Sequence, residues 1–204
     1  MIKVGTVKSL WRYPVKGMAG ETVNMADINE MGIVGDRMMA VQDVARQEIQ
    51  SCKFRPALLQ CRASYANSKQ MDDGIKISFP DGETLSADNA FANEKVSALI
   101  GHESRLQTVR PAADQGFYRR YKADEHIWLT ELKATFEREP GEPLPDLDNM
   151  PEDSQHYVSI LGSFFLISTF HIITTASVRH LHSLNTSADW HIERFRPNLV
   201  IETL

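Results

Sequence analysis

The stretch Leu59-Gln60-Cys61-Arg62-Ala63-Ser64-Tyr65 alternates apolar and polar side chains, and it decides the fold class. Successive side chains of a β-strand point to opposite faces, so this pattern predicts a strand with one buried face. Asp72-Asp73-Gly74 predicts a turn, and residues 75–79 then repeat the alternation. Pro80-Asp81-Gly82-Glu83 predicts a tight hairpin after them. The first half of the chain is therefore expected to be mostly β.

Shorter β-patterns lie on both sides of this motif. They predict strands at residues 2–10, around Val23 and Met25, through residues 39–43 and at residues 105–109. One helix is expected in this region, because Asp88 is a suitable N-cap and Gly101 follows the last apolar position.

The second half of the chain changes character. Residues 137–153 contain four prolines and seven acidic residues, a composition typical of a mobile surface loop. Residues 157–167 are apolar and partly β-branched, which predicts a buried strand or pair of strands. A helix is expected to follow residues 172–177, whose hydroxyl side chains are natural caps, and a last strand is expected at residues 195–201.

The last predicted strand ends close to Leu204, with no turn or closing partner after it. A strand without a neighbour exposes backbone amides and apolar side chains, so its edges must be covered. Three explanations fit this pattern. An earlier strand covers it, a second copy of the chain pairs with it in a dimer, or a longer domain was cut here.

The composition excludes several classes of protein. With 204 residues, 42% of them hydrophobic and 24% charged, the chain has the profile of a globular protein with a real core. A formal net charge of −5 gives no general attraction to nucleic acid or anionic lipid. The longest apolar run, residues 164–167, is too short to cross a bilayer. Cys52 and Cys61 make neither a disulfide framework nor a zinc site, so we expect a cytoplasmic protein without nucleic-acid or membrane partners.

Four cationic or amide side chains stand beside residues that bend or stiffen the chain. Lys16 lies close to a proline and directly before a glycine, and Arg37 leaves a turn with two glycines. Arg196 and Asn198 flank a proline, so both project from a stiffened extended segment. Side chains of this kind are suited to holding an anion and a planar polar ring, because arginine offers a fork of donors and asparagine both a donor and an acceptor.

Hydroxyl side chains form a second group of candidates. Thr175 and Ser177, with Thr174 before them, lie where a helix is predicted to begin, and the backbone amides there favour an anion. If both groups converge, they form a phosphate site. Taken singly, each residue has an ordinary explanation, as a solvated surface charge, a structural ion pair or a helix cap.

Histidines offer a competing interpretation as a metal site. His171, His180, His182 and His191 all lie in the C-terminal part of the chain. On a helix, residues two apart point in different directions, and no carboxylate or cysteine completes the set. We therefore favour surface or capping roles and assign no metal ligand.

Four segments occur in an order that is hard to obtain by chance: Tyr13-Pro14-Val15-Lys16-Gly17, Gly32-Ile33-Val34-Gly35-Asp36-Arg37, Thr174-Thr175-Ala176-Ser177 and Phe195-Arg196-Pro197-Asn198. Together they resemble the MOSC family, named for the C-terminal domain of molybdenum cofactor sulfurases. The resemblance covers nearly the whole chain, and it is to the two-part members, which include the mitochondrial amidoxime-reducing component and its bacterial relatives.

This resemblance implies a mainly β fold with a few helices, a MOSC-like barrel that is incomplete at the C-terminus. It also implies a division into an N-terminal β-barrel-like domain at residues 1–110 and the leading part of a MOSC domain at residues 111–204.

The resemblance further implies the molybdenum cofactor, a molybdopterin that carries a terminal phosphate. Three pairs of residues match cofactor-binding positions of the family: Lys16 and Arg37 at the phosphate, Thr175 and Ser177 as hydroxyl contacts, and Arg196 and Asn198 at the pterin. Gly17 falls where some relatives have serine, so one hydroxyl contact is expected to be missing.

The metal-ligating cysteine of the family lies further along the MOSC domain than this sequence extends. Cys52 and Cys61 do not match it and are interpreted as structural. The leading hypothesis is an oxidoreductase of N-hydroxylated compounds, or a fragment of one, that receives electrons from a ferredoxin or reductase. The alternatives are a non-catalytic carrier of the cofactor and a truncated, inactive protein. A pyridoxal-phosphate-dependent sulfurase is not expected, because its desulfurase domain has no counterpart here.

Overall fold

The computed structural model describes residues 3–67, 70–121 and 153–203. Its strands are β1 (Gly5–Arg12), β2 (Glu21–Val23), β3 (Ile28–Asn29), β4 (Gly32–Ile33), β5 (Met39–Asp43), β6 (Glu48–Ile49), β7 (Arg62–Asn67), β8 (Gln70–Ser78), β9 (Thr84–Ser86), β10 (Ser104–Thr108), β11 (Ile172–Thr174) and β12 (Leu199–Thr203). Its α-helices are α1 (Ala90–Ile100), α2 (Asp153–His156) and α3 (Thr175–Leu184). Short 3₁₀ helices cover Pro56–Gln60, Gln115–Tyr118 and Ile192–Phe195. The predicted mainly β fold with a few helices is confirmed.

The strands form separate small sheets. Their orders are β11-β12-β1-β2, β10-β5-β6, β3-β4 and β7-β8-β9. Within the described residues no sheet closes on itself, which agrees with the expected incomplete barrel.

The strand at the C-terminal end is an interior strand of its sheet. β12 pairs antiparallel with β1, where Gly5 lies opposite Thr203, and parallel with β11, where Thr174 lies opposite Ile201. Of the three explanations for the last strand, cover by an earlier strand is therefore the one that the structure shows. β1 supplies the cover from the other end of the chain, a pairing that no local pattern reveals. The oligomeric state itself stays a prediction.

The central hairpin is confirmed with shifted bounds. β7 begins at Arg62, because a 3₁₀ helix that starts at Pro56 takes up the residues before it. β8 runs straight through residues 72–74, so the turn predicted there is wrong. The predicted hairpin at residues 80–83 is confirmed, since the Gly82 amide donates to the Phe79 carbonyl oxygen at 3.0 Å.

The first helix is confirmed, with a different cap. Its N-cap is Asn89 rather than Asp88, because the Asn89 side chain accepts a hydrogen bond from the Phe91 amide at 2.9 Å. Gly101 ends the helix in the left-handed region at φ 83°, as predicted.

Residues 157–167 do not form the predicted strand. Tyr157 makes only an isolated bridge with Arg119, and the segment then turns back on itself. The turn is held by local bonds, in which the Ser159 hydroxyl donates to the Ser163 carbonyl oxygen at 2.8 Å and Gly162 adopts φ 78°. The burial inferred from its apolar composition is correct in part, since Val158, Phe164 and Phe165 are buried.

Two hydrophobic cores hold the elements together. The first packs the β7-β8-β9 sheet against α1 and includes Leu58, Ile77 and Val96, all fully buried. The second consists of Ala40, Ile49, Phe117, Tyr118, Val158 and Phe164. Burial of each large apolar side chain contributes roughly 1.5–3 kcal/mol. The second core joins residues from both halves of the chain and forms one wall of the site described below.

Two further observations complete the fold. The loop predicted at residues 137–153 lies outside the described residues except for Asp153. Across the described ranges, none of the helices has the length and apolar character needed to cross a membrane. The division at residue 110 and the cytoplasmic location stay predictions.

Candidate functional site

Two distant segments run side by side and bring Lys16 next to Arg37. The Lys16 amide donates to the Met39 carbonyl oxygen at 2.7 Å, and the Met39 amide donates to the Pro14 carbonyl oxygen at 3.0 Å. The Arg37 amide donates to the Tyr13 carbonyl oxygen at 2.8 Å. A proline can accept but not donate in such a pairing, so the motif around Pro14 fits this arrangement.

The ring of Tyr13 is the platform on which two arginines meet. Tyr13 is fully buried, the guanidinium of Arg196 lies 4.3 Å from its ring centre, and that of Arg37 lies 5.4 Å away. Arg37 also lies 5.0 Å from the ring centre of Phe165. Aromatic faces attract cations, and they hold these two like charges close together without neutralising them.

Lys16 is buried with a relative exposure of 8%. Its Nζ donates to two backbone carbonyl oxygens, that of Val158 at 3.2 Å and that of Phe164 at 3.1 Å. Burial, followed by the positive charges of Arg37 and Arg120, lowers the pKa of Lys16 to about 7. The surroundings of Lys16 therefore disfavour its protonated form.

Asp36 is the carboxylate at the centre of the site. Its Oδ1 accepts a bond from the Tyr13 amide at 2.6 Å, and its Oδ2 accepts one from Asn198 Nδ2 at 2.9 Å. Asp36 also forms an ion pair with Arg37. Burial raises the pKa of Asp36, while Arg37 opposes that rise. Asp36 thus ties three of the sequence motifs together.

Asn198 is fully buried and uses its amide in the structure itself. Besides Asp36, its Nδ2 donates to the Trp11 carbonyl oxygen at 3.3 Å, and its Oδ1 accepts from the His171 amide at 3.2 Å. Asn198 therefore positions the segment that carries Arg196, in addition to any contact with a ligand.

Arg196 has an unpaired nitrogen. Its Nη1 donates to the Met18 carbonyl oxygen, whereas its Nη2 is buried without a hydrogen-bond partner among the described residues. Burial, followed by the charge of Arg37, lowers the pKa of Arg196. Both arginines have φ of 50°, a backbone conformation that costs energy in residues with a side chain and is concentrated at functional sites.

Lys16, Arg37, Arg120 and Arg196 together form what we call the cation cluster. Asp36 is its carboxylate, and Asp36 is already engaged by Arg37 and Asn198. The sequence did not single out Tyr13, Asp36 or Arg120 for a role. Tyr13 and Asp36 lie inside the motifs, so the motifs themselves were the available signal, whereas nothing local marks Arg120.

Cys52 also lies close to the cation cluster. It is near both Lys16 and Arg196, and its backbone nitrogen lies 3.2 Å from where a Cβ at Gly17 would stand. Gly17 has φ 87°, so a side chain at this position would be both strained and crowded. Cys61 is buried, and burial raises its pKa to about 11, as expected of a structural thiol.

The structure does not bring Thr175 and Ser177 to the cation cluster. Thr175 Oγ1 accepts from the Thr203 amide at 3.4 Å, at the far end of β12 from Asn198. Five residues of strand separate these two ends, on the order of 16 Å. Ser177 is exposed, and its amide donates to Thr174 Oγ1 at 3.0 Å, which is a helix cap.

The histidines do not form a metal site in the described part of the chain, where no three histidine, cysteine or acidic side chains are grouped to hold an ion. His180 and His182 are both exposed on α3.

The fold and the motifs agree with the comparison to known protein families. The model of the MOSC N-terminal beta barrel domain matches residues 4–120, which is more than half of the chain. The match includes Lys16, Arg37 and Arg120. A search of curated proteins finds no significant match. This chain belongs to the family of the MOSC N-terminal beta barrel domain.

Proposed function

We propose that this chain binds the molybdenum cofactor and that the cation cluster receives its phosphate. MOSC proteins are associated with this cofactor in general. The observation that carries the proposal is a buried donor at a site rich in cations, since Arg196 Nη2 has no acceptor among the described residues and the charges of Arg37 and Arg196 both act on Lys16. Buried charges need partners, and a phosphate supplies two negative charges and several acceptor oxygens.

The residues present fit such a group. Arg196 Nη2 is a buried donor without an acceptor among the described residues, and a phosphate oxygen would satisfy it. Arg37 and Arg196 both present planar guanidinium groups that can bind two phosphate oxygens at once. The carbonyl oxygens that now accept from Lys16 belong to a turn rather than to a sheet, so an anion can replace them without breaking a strand pairing.

Each residue has a defined share in this proposal. Lys16, Arg37 and Arg196 would hold the phosphate, and Asn198 would contact the pterin, whereas the family resemblance had placed Arg196 with Asn198 at the pterin. Thr175 and Ser177 stay predictions from the family resemblance, since their position gives the phosphate site no support. When bound, the cofactor supplies a metal centre for oxygen-atom transfer, and the chain's own residues bind and orient it.

The proposed activity is reduction of N-hydroxylated compounds with electrons from a ferredoxin or reductase. It is tested first through cofactor content. Protein expressed in cells that make the cofactor should contain molybdenum and pterin in equal amounts. Arg196→Ala should weaken binding by about 1.5–3 kcal/mol, on the order of 10- to 100-fold, because it removes a charge-assisted contact. Arg105→Ala is the matched control, because Arg105 is exposed and forms its ion pair among the described residues with Glu103, also on the surface.

Folded protein that contains neither molybdenum nor pterin would contradict the binding proposal. A loaded protein that fails to reduce an amidoxime with a chemical electron donor would contradict the activity and leave the binding intact.

A further inference from the structure

Lys16 has an unusual set of neighbours for a buried lysine. Its ammonium group donates to two carbonyl oxygens, and within the described ranges it forms no ion pair with a carboxylate. Buried lysines are ordinarily paired, because an isolated charge is costly away from water. The carbonyl oxygens serve a neutral amine as well as an ammonium group, since a neutral amine still has two N–H donors.

Among the described residues, the cationic groups that act on Lys16 come from three segments. Arg37 follows β4, Arg120 follows the 3₁₀ helix at Gln115–Tyr118, and Arg196 ends the 3₁₀ helix at Ile192–Phe195. Cys52, from the turn after β6, also lies near Lys16. Asp36 is turned towards Arg37 and Asn198. Among the described residues, the charged side chains near Lys16 are thus mainly cationic.

A dianion at this site would reverse that balance. It would place two negative charges among the arginines and within reach of Lys16, and an opposite charge a few ångströms away favours a protonated amine. We propose that the anion site binds a dianion together with one proton, and that the amine of Lys16 is the group that takes up this proton. This inference rests on the phosphate-binding part of the proposed function.

The direction in which affinity changes with pH follows from the protonation state of Lys16 in the ligand-free protein. Because the pKa of Lys16 is about 7 in the free chain, the amine is mostly neutral above that pH. The bound dianion raises this pKa, so binding consumes a proton between pH 7 and the higher value. In that window the affinity falls by up to about tenfold per pH unit as the pH rises, and below pH 7 this dependence disappears.

The test uses sulfate, which stays a dianion across this range, so the ligand's own protonation does not contribute. Calorimetric titrations at pH 8 in buffers of different ionisation enthalpy measure the protons taken up per sulfate. Wild-type protein should take up close to one. Lys16→Arg carries a permanent charge, so it should bind sulfate with uptake close to zero. Lys95→Met is the matched control and should behave as wild type, because Lys95 lies in a surface group with Asp81 and Glu83.

A second measurement is independent of any variant's folding. The ¹³Cε shift of Lys16 in labelled wild-type protein should report a pKa of about 7 without sulfate. It should report a pKa at least two units higher with saturating sulfate. Sulfate binding without proton uptake, or an unchanged Lys16 pKa, would overturn the inference and leave the anion site in place. Absence of sulfate binding would overturn the inference, and only an accompanying lack of cofactor would also remove the proposed function.

Discussion

The cation cluster and the start of α3 were predicted to form one site, and the structure shows two regions of opposite character. In the cation cluster, Arg196 Nη2 is buried and has no acceptor among the described residues. At the start of α3 the hydroxyl groups satisfy one another, since Thr174 Oγ1 and Ser177 Oγ lie 2.8 Å apart and Thr174 caps the helix. A region with unmet polar groups is poised to bind, whereas a region that satisfies its own groups is stable without a ligand.

The difference teaches that a shared preference for anions does not make a shared site. Both regions contain residue types that bind phosphate. Only the cation cluster combines them with burial and with backbone strain, which is found at Arg37 and Arg196. The following predictions test whether these two regions are as different as the structure indicates.

The largest effect is expected at Asp36. Asp36→Asn removes the negative charge that pairs with Arg37 and accepts from Asn198. Arg37 is then left without its ion-pair partner. Loss of one partner from a buried pair costs about 3–5 kcal/mol, so the free energy of unfolding in urea should fall by that amount. Asp81→Asn is the control and should leave the midpoint unchanged, because its carboxylate lies on the surface. Equal effects of both substitutions would show that the cation cluster does not depend on its carboxylate.

Parts of both regions could be predicted from sequence, and the reason is local. Alternation predicted β7, and Gly101 predicted the end of α1, because each signal depends on residues a few positions apart. The hydroxyl cap of α3 was also predictable for this reason. The motifs contain Lys16, Arg37, Arg196 and Asn198, which the structure brings close together, and their role in binding a cofactor stays a prediction from the family resemblance.

The remaining features depend on contacts between distant parts of the chain. β12 lies between β1 and β11, and neither pairing can be seen in the segment itself. Arg120 enters the cation cluster from a region with no motif. The distance between Ser177 and the cation cluster follows from the parallel pairing of β11 and β12. Ser177 follows the end of β11, whereas Arg196 and Asn198 precede the start of β12.

The next effect is a dependence of stability on pH. The pKa of Lys16 is lowered in the folded chain to about 7, from its ordinary value of 10.5, so the unfolded chain binds more protons between these values. The free energy of unfolding of the ligand-free protein should therefore rise with pH in this range, by at most about 1.4 kcal/mol per pH unit.

Lys16→Met should lose this pH-dependent part, and Lys95→Met should retain it. Lys95 differs because its hydrogen bonds to Asp81 and Glu83 raise its pKa. Urea titrations of the three proteins at pH 7, 8 and 9 would measure the slopes. The same slope in Lys16→Met as in wild type would show that another group carries the proton.

The smallest effect is expected at the start of α3, and it is the sharpest test of the separation between the regions. Thr174→Ala removes the hydroxyl group that accepts from the Ser177 amide, so it should cost about 1 kcal/mol of stability, as is usual for an N-cap. It should leave sulfate affinity and proton uptake at wild-type values, because Thr174 lies opposite Ile201, three residues or roughly 10 Å along β12 from Asn198. Ser177→Ala tests the contact implied by the family resemblance. If it lowers cofactor content as Arg196→Ala does, the cofactor reaches both regions, and the start of α3 belongs to the site after all.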